Sequence, residues 1–129
     1  MLSHDLQRDT GILVLMPEGP LEAADFETLA AHVDAYLEQN GTLHGVMVKA
    51  REFPGWKNFT ALLAHLKFVK GHHSRIEKVA VVADGSVASI LPHMAGHFLK
   101  AEVRQFSFDH EDAAWKWLTK DVQAAQPVA

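Results

Sequence analysis

Nine histidines in 129 residues invite a search for metal or acid–base chemistry. His93 and His97 stand four apart, the spacing that puts two imidazoles on one side of a helix. Zinc takes three or four protein ligands, and neither an H-E-x-x-H run nor any cysteine accompanies the pair, so no metal and no cofactor are expected. His72-His73 closes an apolar helical stretch, where partial positive charge suits the last carbonyls of a helix. Asp84-Gly85-Ser86 follows an apolar strand and precedes helical spacing. Amides at such a helix start could hold an anion, although a turn with a cap explains the same three residues. No phosphate-cradling glycine loop and no G-x-S-x-G nucleophile elbow occurs. Glu111 and Asp112 sit at a helix start, where capping accounts for them. An enzyme would have to bring His72 or His73 together with Asp84 in one pocket. The expected function is therefore non-enzymatic.

A second constellation reads as a binding surface. Val46 to His73 carries an apolar strand into Phe53-Pro54-Gly55-Trp56 and then into an amphipathic helix. From Lys57 to Lys78 there are five Lys/Arg and one acid, a formal +4 inside a chain of net −4, so the remainder carries about −8. The helical register turns Phe59, Leu63 and Leu66 inward, with Lys67 and Lys70 towards solvent and Phe68 beside the stripe. Aromatic rings bordered by lysines are what a helix lying on an anionic membrane presents. The candidate ligand- or membrane-binding set is Phe53, Trp56, Lys57, Phe59, Leu63, Lys67, Phe68, Lys70, His72 and His73.

The elements that position these residues follow from periodicity. Leu2, His4 and Leu6 alternate, Arg8-Asp9-Thr10-Gly11 makes a turn, and Ile12–Met16 returns as a second strand, an opening hairpin. Pro17-Glu18-Gly19-Pro20 ends it. Leu21 to Asn40 places Phe26, Leu29, Ala30, Val33 and Leu37 at helical spacing, and Gly41 stops that helix. Gly45–Ala50 is a third strand, and Asn58–Val69 a second helix ended by Gly71. Val79–Ala83 is uniformly apolar, as a strand covered on both faces is. A third helix carries Val87, Ile90, Leu91, Met94 and Phe98, with Pro92 predicting a break or a late start. Glu102–Phe108 is a fifth strand. Asp109 caps a last helix, with Asp112 as its partner and Ala114, Trp117 and Leu118 inward. Trp115, two residues from Trp117, takes a different side.

A chain of this length forms one domain, residues 2–122, with a loose tail over 123–129. The order β-β-α-β-α-β-α-β-α predicts an α/β fold with a five-stranded mixed sheet, antiparallel at the hairpin and parallel beyond it, and about four helices. The absence of cysteine excludes disulfides and thiolate chemistry and fits a reducing compartment. The N-terminus carries no basic region followed by an apolar run, and no apolar run approaches bilayer length. A cytoplasmic protein is expected, with peripheral contact at the inner membrane surface as its extension. The mild acidity speaks against nucleic acid as a partner.

This order of elements, with Phe53-Pro54-Gly55-Trp56 after the third strand, resembles the SpoIIAA-like branch of the STAS fold (sulfate transporter and anti-sigma factor antagonist). His72 to Val82, Val103-Arg104-Gln105-Phe106 and Ala113 to Leu118 add to the resemblance, which runs from about Leu2 to Leu118. It implies a compact bacterial domain of four helices around a five-stranded sheet. Anti-sigma antagonists of the family carry a phosphorylatable serine at the start of the second helix. Here Arg51 to Thr60 contains no serine, and Thr60 is the one hydroxyl. The branch has been compared with lipid-binding folds of the CRAL-TRIO type, which implies an amphipathic or apolar, lipid-like ligand, peripheral membrane association, or both. The alternative is a regulatory protein-interaction module using the same helix without the serine switch. A second copy of the chain is a further candidate partner.

Overall fold

Alternation builds the sheet from its second strand outward. In β2 (Ile12–Pro17), Ile12 and Val14 turn to one face and Leu13 and Leu15 to the other, and all four are buried. Successive side chains of a strand point to opposite faces, so both faces must be covered. The computed structural model of the chain describes residues 2–51, 55–84 and 102–125. β1 (Leu2–Gln7) pairs antiparallel with β2, while β3 (Leu43–Lys49), β4 (Ile76–Val82) and β5 (Glu102–Phe106) add on in parallel. The spatial order is the chain order, β1-β2-β3-β4-β5. The helices among the described residues are α1 (Ala23–Asn40), α2 (Phe59–His72) and α3 (Glu111–Ala125), with 3-10 turns at His73–Arg75 and Phe108–His110. None of them is long and apolar enough to cross a membrane.

The hairpin closes through Gly11, whose φ of +72° lies in the left-handed region and whose N–H donates to Gln7 O at 2.8 Å. A Cβ there would also stand 2.9 Å from the Tyr36 hydroxyl, so α1 packs where only glycine leaves room. At the start of α1, the Asp25 carboxylate accepts the Glu22 N–H at 2.8 Å, and at its end the Gly41 N–H donates to Leu37 O. Arg75 reaches the same end from the turn before β4, donating to Gly41 O and Leu37 O. A cation at these orphan carbonyls complements the negative pole of the helix.

Two cores result. On one face, Leu13, Leu15 and Val46 meet Leu29, Val33 and Leu37 of α1. On the other, Ile12, Val14, Met47, Ala80 and Val82 lie under Ala114 and Leu118 of α3. Gly45 opens a notch in this second face, because a Cβ there would stand 2.9 Å from Leu118 Cδ2. Lys78 shares that face and is only 8% exposed. A cation without partners in a core costs several kcal/mol. Here Nζ donates to Trp117 O at 3.1 Å and lies 5.2 Å from the Trp117 ring centre.

The hairpin and the mixed five-stranded sheet are as the periodicity predicts, whereas β4 is fully buried on one face only, with Val79 and Val81 half-buried on the other. Several boundaries differ: α2 runs through Gly71 to His72, β4 begins at Ile76 and β5 ends at Phe106. β3 begins at Leu43, and the last helix begins at Glu111 rather than after an Asp109 cap. Asp109 falls in the preceding 3-10 turn, and its carboxylate sits 3.8 Å from Arg51 instead. The helix expected over Val87–Phe98, with Pro92, His93 and His97, lies outside the described residues.

The notch at Gly45 yields a packing prediction. Leu118→Ala should destabilise the fold by about 2–5 kcal/mol and Gly45→Val by about 1–3 kcal/mol. The double variant should cost less than the sum, because the new methyls enter the space vacated by Leu118. Urea denaturation of the four proteins measures the coupling.

Candidate docking surface on the second helix

The loops before α1 and α2 are clipped together, and this sets where the candidate surface begins. The Leu21 N–H donates to Gly55 O and the Lys57 N–H to Leu21 O, both at 2.8 Å, around a parallel bridge from Leu21 to Trp56. Lys57 Nζ adds a 3.0 Å contact with Glu22. Asn58 then caps α2, its side-chain oxygen accepting the Ala61 N–H at 2.9 Å. α1 and α2 thus start at one level and run side by side on the same face of the sheet.

Rings fill the seam between them. The Trp56 indole N–H donates to His65 Nδ1 at 3.1 Å, and His65 stacks on Phe26 with ring centres 4.7 Å apart. Phe26 meets Phe68 at 6.4 Å, and Phe68 stacks on His72 at 4.2 Å. His72 closes the series, with Nδ1 at 2.7 Å from Phe68 O and Nε2 at 2.8 Å from Asp34 Oδ1. Both of those oxygens only accept, so in either contact the ring nitrogen is the donor. His65 has the opposite role. It accepts from an indole that can only donate, so Nδ1 is unprotonated, and burial lowers its pKa from the ordinary histidine value.

This seam reverses the expected phase of α2. Leu63 and Leu66, predicted inward, are 50% and 53% exposed, and Phe68, predicted to border the outer side, packs inward on Phe26 and His72. The inward line is Ala61, His65, Phe68 and His72, spaced four, three and four. That is as good a helical stripe as the leucines, but two of its members are histidines. An apolar count alone gives them no weight. Leu63, Leu66, Lys67 and Lys70 therefore share the outer face, with Trp56, 39% exposed, near its start. The helix contains no acid, and among the described residues none pairs with Lys67 or Lys70.

Of the ten candidate residues, the structure places Trp56, Lys57, Leu63, Lys67 and Lys70 on or beside this face, and Phe68 and His72 in the seam beneath it. Phe53 lies outside the described residues, as do the side chains of Phe59 and His73. The basic count shrinks on inspection. Arg75 caps α1, Lys78 is buried and Lys57 is tied to Glu22, which leaves Lys67 and Lys70 as the exposed positive charge of the α2 face. His72 precedes β4 and Asp84 follows it, so about 23 Å of strand separates them and they cannot share one pocket. Asp84 is engaged at its own end, accepting the Phe108 N–H at 3.0 Å and standing 3.6 Å from Arg51. Among the described residues, no group of three or more His, Asp or Glu is placed to hold a metal.

The His65 contact predicts an acid-sensitive seam. Its folded pKa lies below the unfolded value, so below a pH of about 6.5 the unfolded chain binds the proton more readily. This contribution to stability is complete above that pH and is lost as pH falls towards the folded pKa. A His65→Gln variant keeps an acceptor for Trp56 but cannot titrate. Between about pH 7.5 and 5.5 it should lose less stability than the wild type, measured by urea midpoints.

The comparisons agree with this architecture. The chain is similar in structure to an uncharacterised protein of the DUF3478 family with a SpoIIAA-like fold from Shewanella loihica PV-4. The TM-score is 0.67 at 18% identity, over 88% of this chain and 92% of that one. None of the curated proteins compared with the chain matches it. The family model described as SpoIIAA-like matches residues 12–119, from the first buried residue of β2 to the turn of α3 that follows Leu118, and the chain belongs to the SpoIIAA-like family.

Proposed function

We propose that this chain is a non-enzymatic docking module whose working surface is the outer face of α2. The observation that carries the reading is the pairing of exposed Leu63 and Leu66 with exposed Lys67 and Lys70 on a helix without acids. Exposed leucines disfavour water, and the lysines select a surface that carries negative charge. A bilayer with acidic headgroups has both properties. Domains of this fold typically serve as interaction modules rather than as enzymes. Contact at the surface is better supported than a lipid-like ligand enclosed between α1 and α2, because Phe26, His65, Phe68 and His72 occupy that seam. The same filled, hydrogen-bonded seam favours a second reading, a regulatory protein-interaction module that offers the face to an acidic, apolar protein surface.

Two lysines at about 1 kcal/mol each give weak, reversible binding, and Trp56 and the leucines add to it. Co-sedimentation of dilute protein with vesicles tests the membrane reading. The protein should pellet with anionic vesicles more than with neutral ones. Lys67→Gln with Lys70→Gln should weaken the anionic binding about thirtyfold, and Leu63→Glu should weaken it further. Equal absence from both pellets would remove the membrane and leave the protein partner.

A further inference from the structure

The exposed charge of the two-helix layer is divided between its helices, and the division is self-complementary. The outward line of α1 consists of Ala24, Ala31 and Ala35 with Glu27 and Glu38 alongside, all exposed. The outward line of α2 consists of Leu63, Leu66, Lys67 and Lys70, also exposed. One helix offers small side chains with acids, and its neighbour offers large apolar side chains with bases. We propose that the outer face of α1 and α2 is covered by a second copy of this chain, related by a twofold axis parallel to the helices. This rests on the reading of the α2 face as the docking surface and names its partner.

The symmetry follows from the layout. α1 and α2 both return from the end of one parallel strand to the start of the next, so they point the same way. A twofold axis lying between the two layers, parallel to the helices, puts α1 of each copy over α2 of the other and keeps their levels. The levels are known from the seam, where Glu22 meets Lys57, Phe26 meets His65 and Asp34 meets His72. Lys67 therefore comes within a helical turn of the partner copy's Glu27 level, and Leu63 and Leu66 reach the level of Ala24 to Ala31, where small side chains leave room for them. The reverse stacking, α1 over α1 and α2 over α2, would set Glu27 and Glu38 against like charge and Lys67 and Lys70 likewise. The outer faces run about 27 Å and 21 Å along the two helices. Such a footprint lies at the small end of specific interfaces, so the dimer is a concentration-dependent one.

Sedimentation velocity of the full chain, from about 1 µM to a few hundred µM, reads the equilibrium directly. The wild type should pass from monomer to dimer in this range and dissociate as salt is raised. Lys67→Glu or Glu27→Lys alone should weaken association about tenfold, since each change occurs twice across the axis. The two together should restore it to within about threefold. These are exposed positions, and circular dichroism confirms that each variant is folded. A wild type that stays monomeric throughout overturns the proposal, and so does a double variant as weak as the singles. If the protein is monomeric but still binds anionic vesicles through Leu63, the second copy is refuted while the α2 docking face stands. A dimer that Leu63→Glu leaves intact refutes the second copy at this face, because association then uses another one, and leaves the α2 docking face to the vesicle experiment.

Discussion

The order of the strands is the constraint on which the rest depends. From β2 to β5 each crossover steps to the next strand in the same direction, so α1 and α2 lie side by side on one face of the sheet. No reversal in strand order opens a crevice at the carboxyl ends, the usual ligand site of open α/β sheets. At that rim the described residues instead satisfy one another. Arg51 lies over Phe108 and between Asp84 and Asp109, and Lys49 pairs with Glu111 at 2.7 Å. The Lys49 hydrogen bond, with a second from Trp115, holds Glu111 below the ordinary carboxylate range.

How much of this was legible in the sequence depends on where polar residues are buried. β2 was readable because its burial is apolar on both faces. The hairpin was readable because Gly11 ends a polar turn between two alternating runs. α2 was read in the wrong phase for the same reason that β2 was read in the right one. Its inward line owes two of its four positions to His65 and His72, whose partners are Trp56 on a neighbouring loop and Asp34 on α1. One partner lies before the helix begins and the other on a different helix, and no pattern within α2 announces them. Lys78 was hidden in the same way, since its partner carbonyl and ring both belong to Trp117. The two faces of α2 were thus exchanged, with Leu63 and Leu66 outward and Phe68 inward.

That exchange strengthens the functional argument. Had the leucines been inward, α2 would have offered an ordinary solvated lysine face. With the rings inward, the leucines have no covering partner among the described residues. The chain shares the family and the fold, and Arg51 to Thr60 contains no serine.

The clip between Gly55, Trp56 and Leu21 has a practical consequence for anyone who handles this protein. By sequence the segment before α2 is a glycine-containing loop, the sort of place where a tag, a cleavage site or an inserted domain is usually tolerated. By bonding it is a fragment of parallel ladder that joins the roots of two helices. An insertion there would part the roots of the two helices and leave only the ring seam and the Asp34–His72 contact to join them. A spectroscopic label at the same point would report on both helices at once.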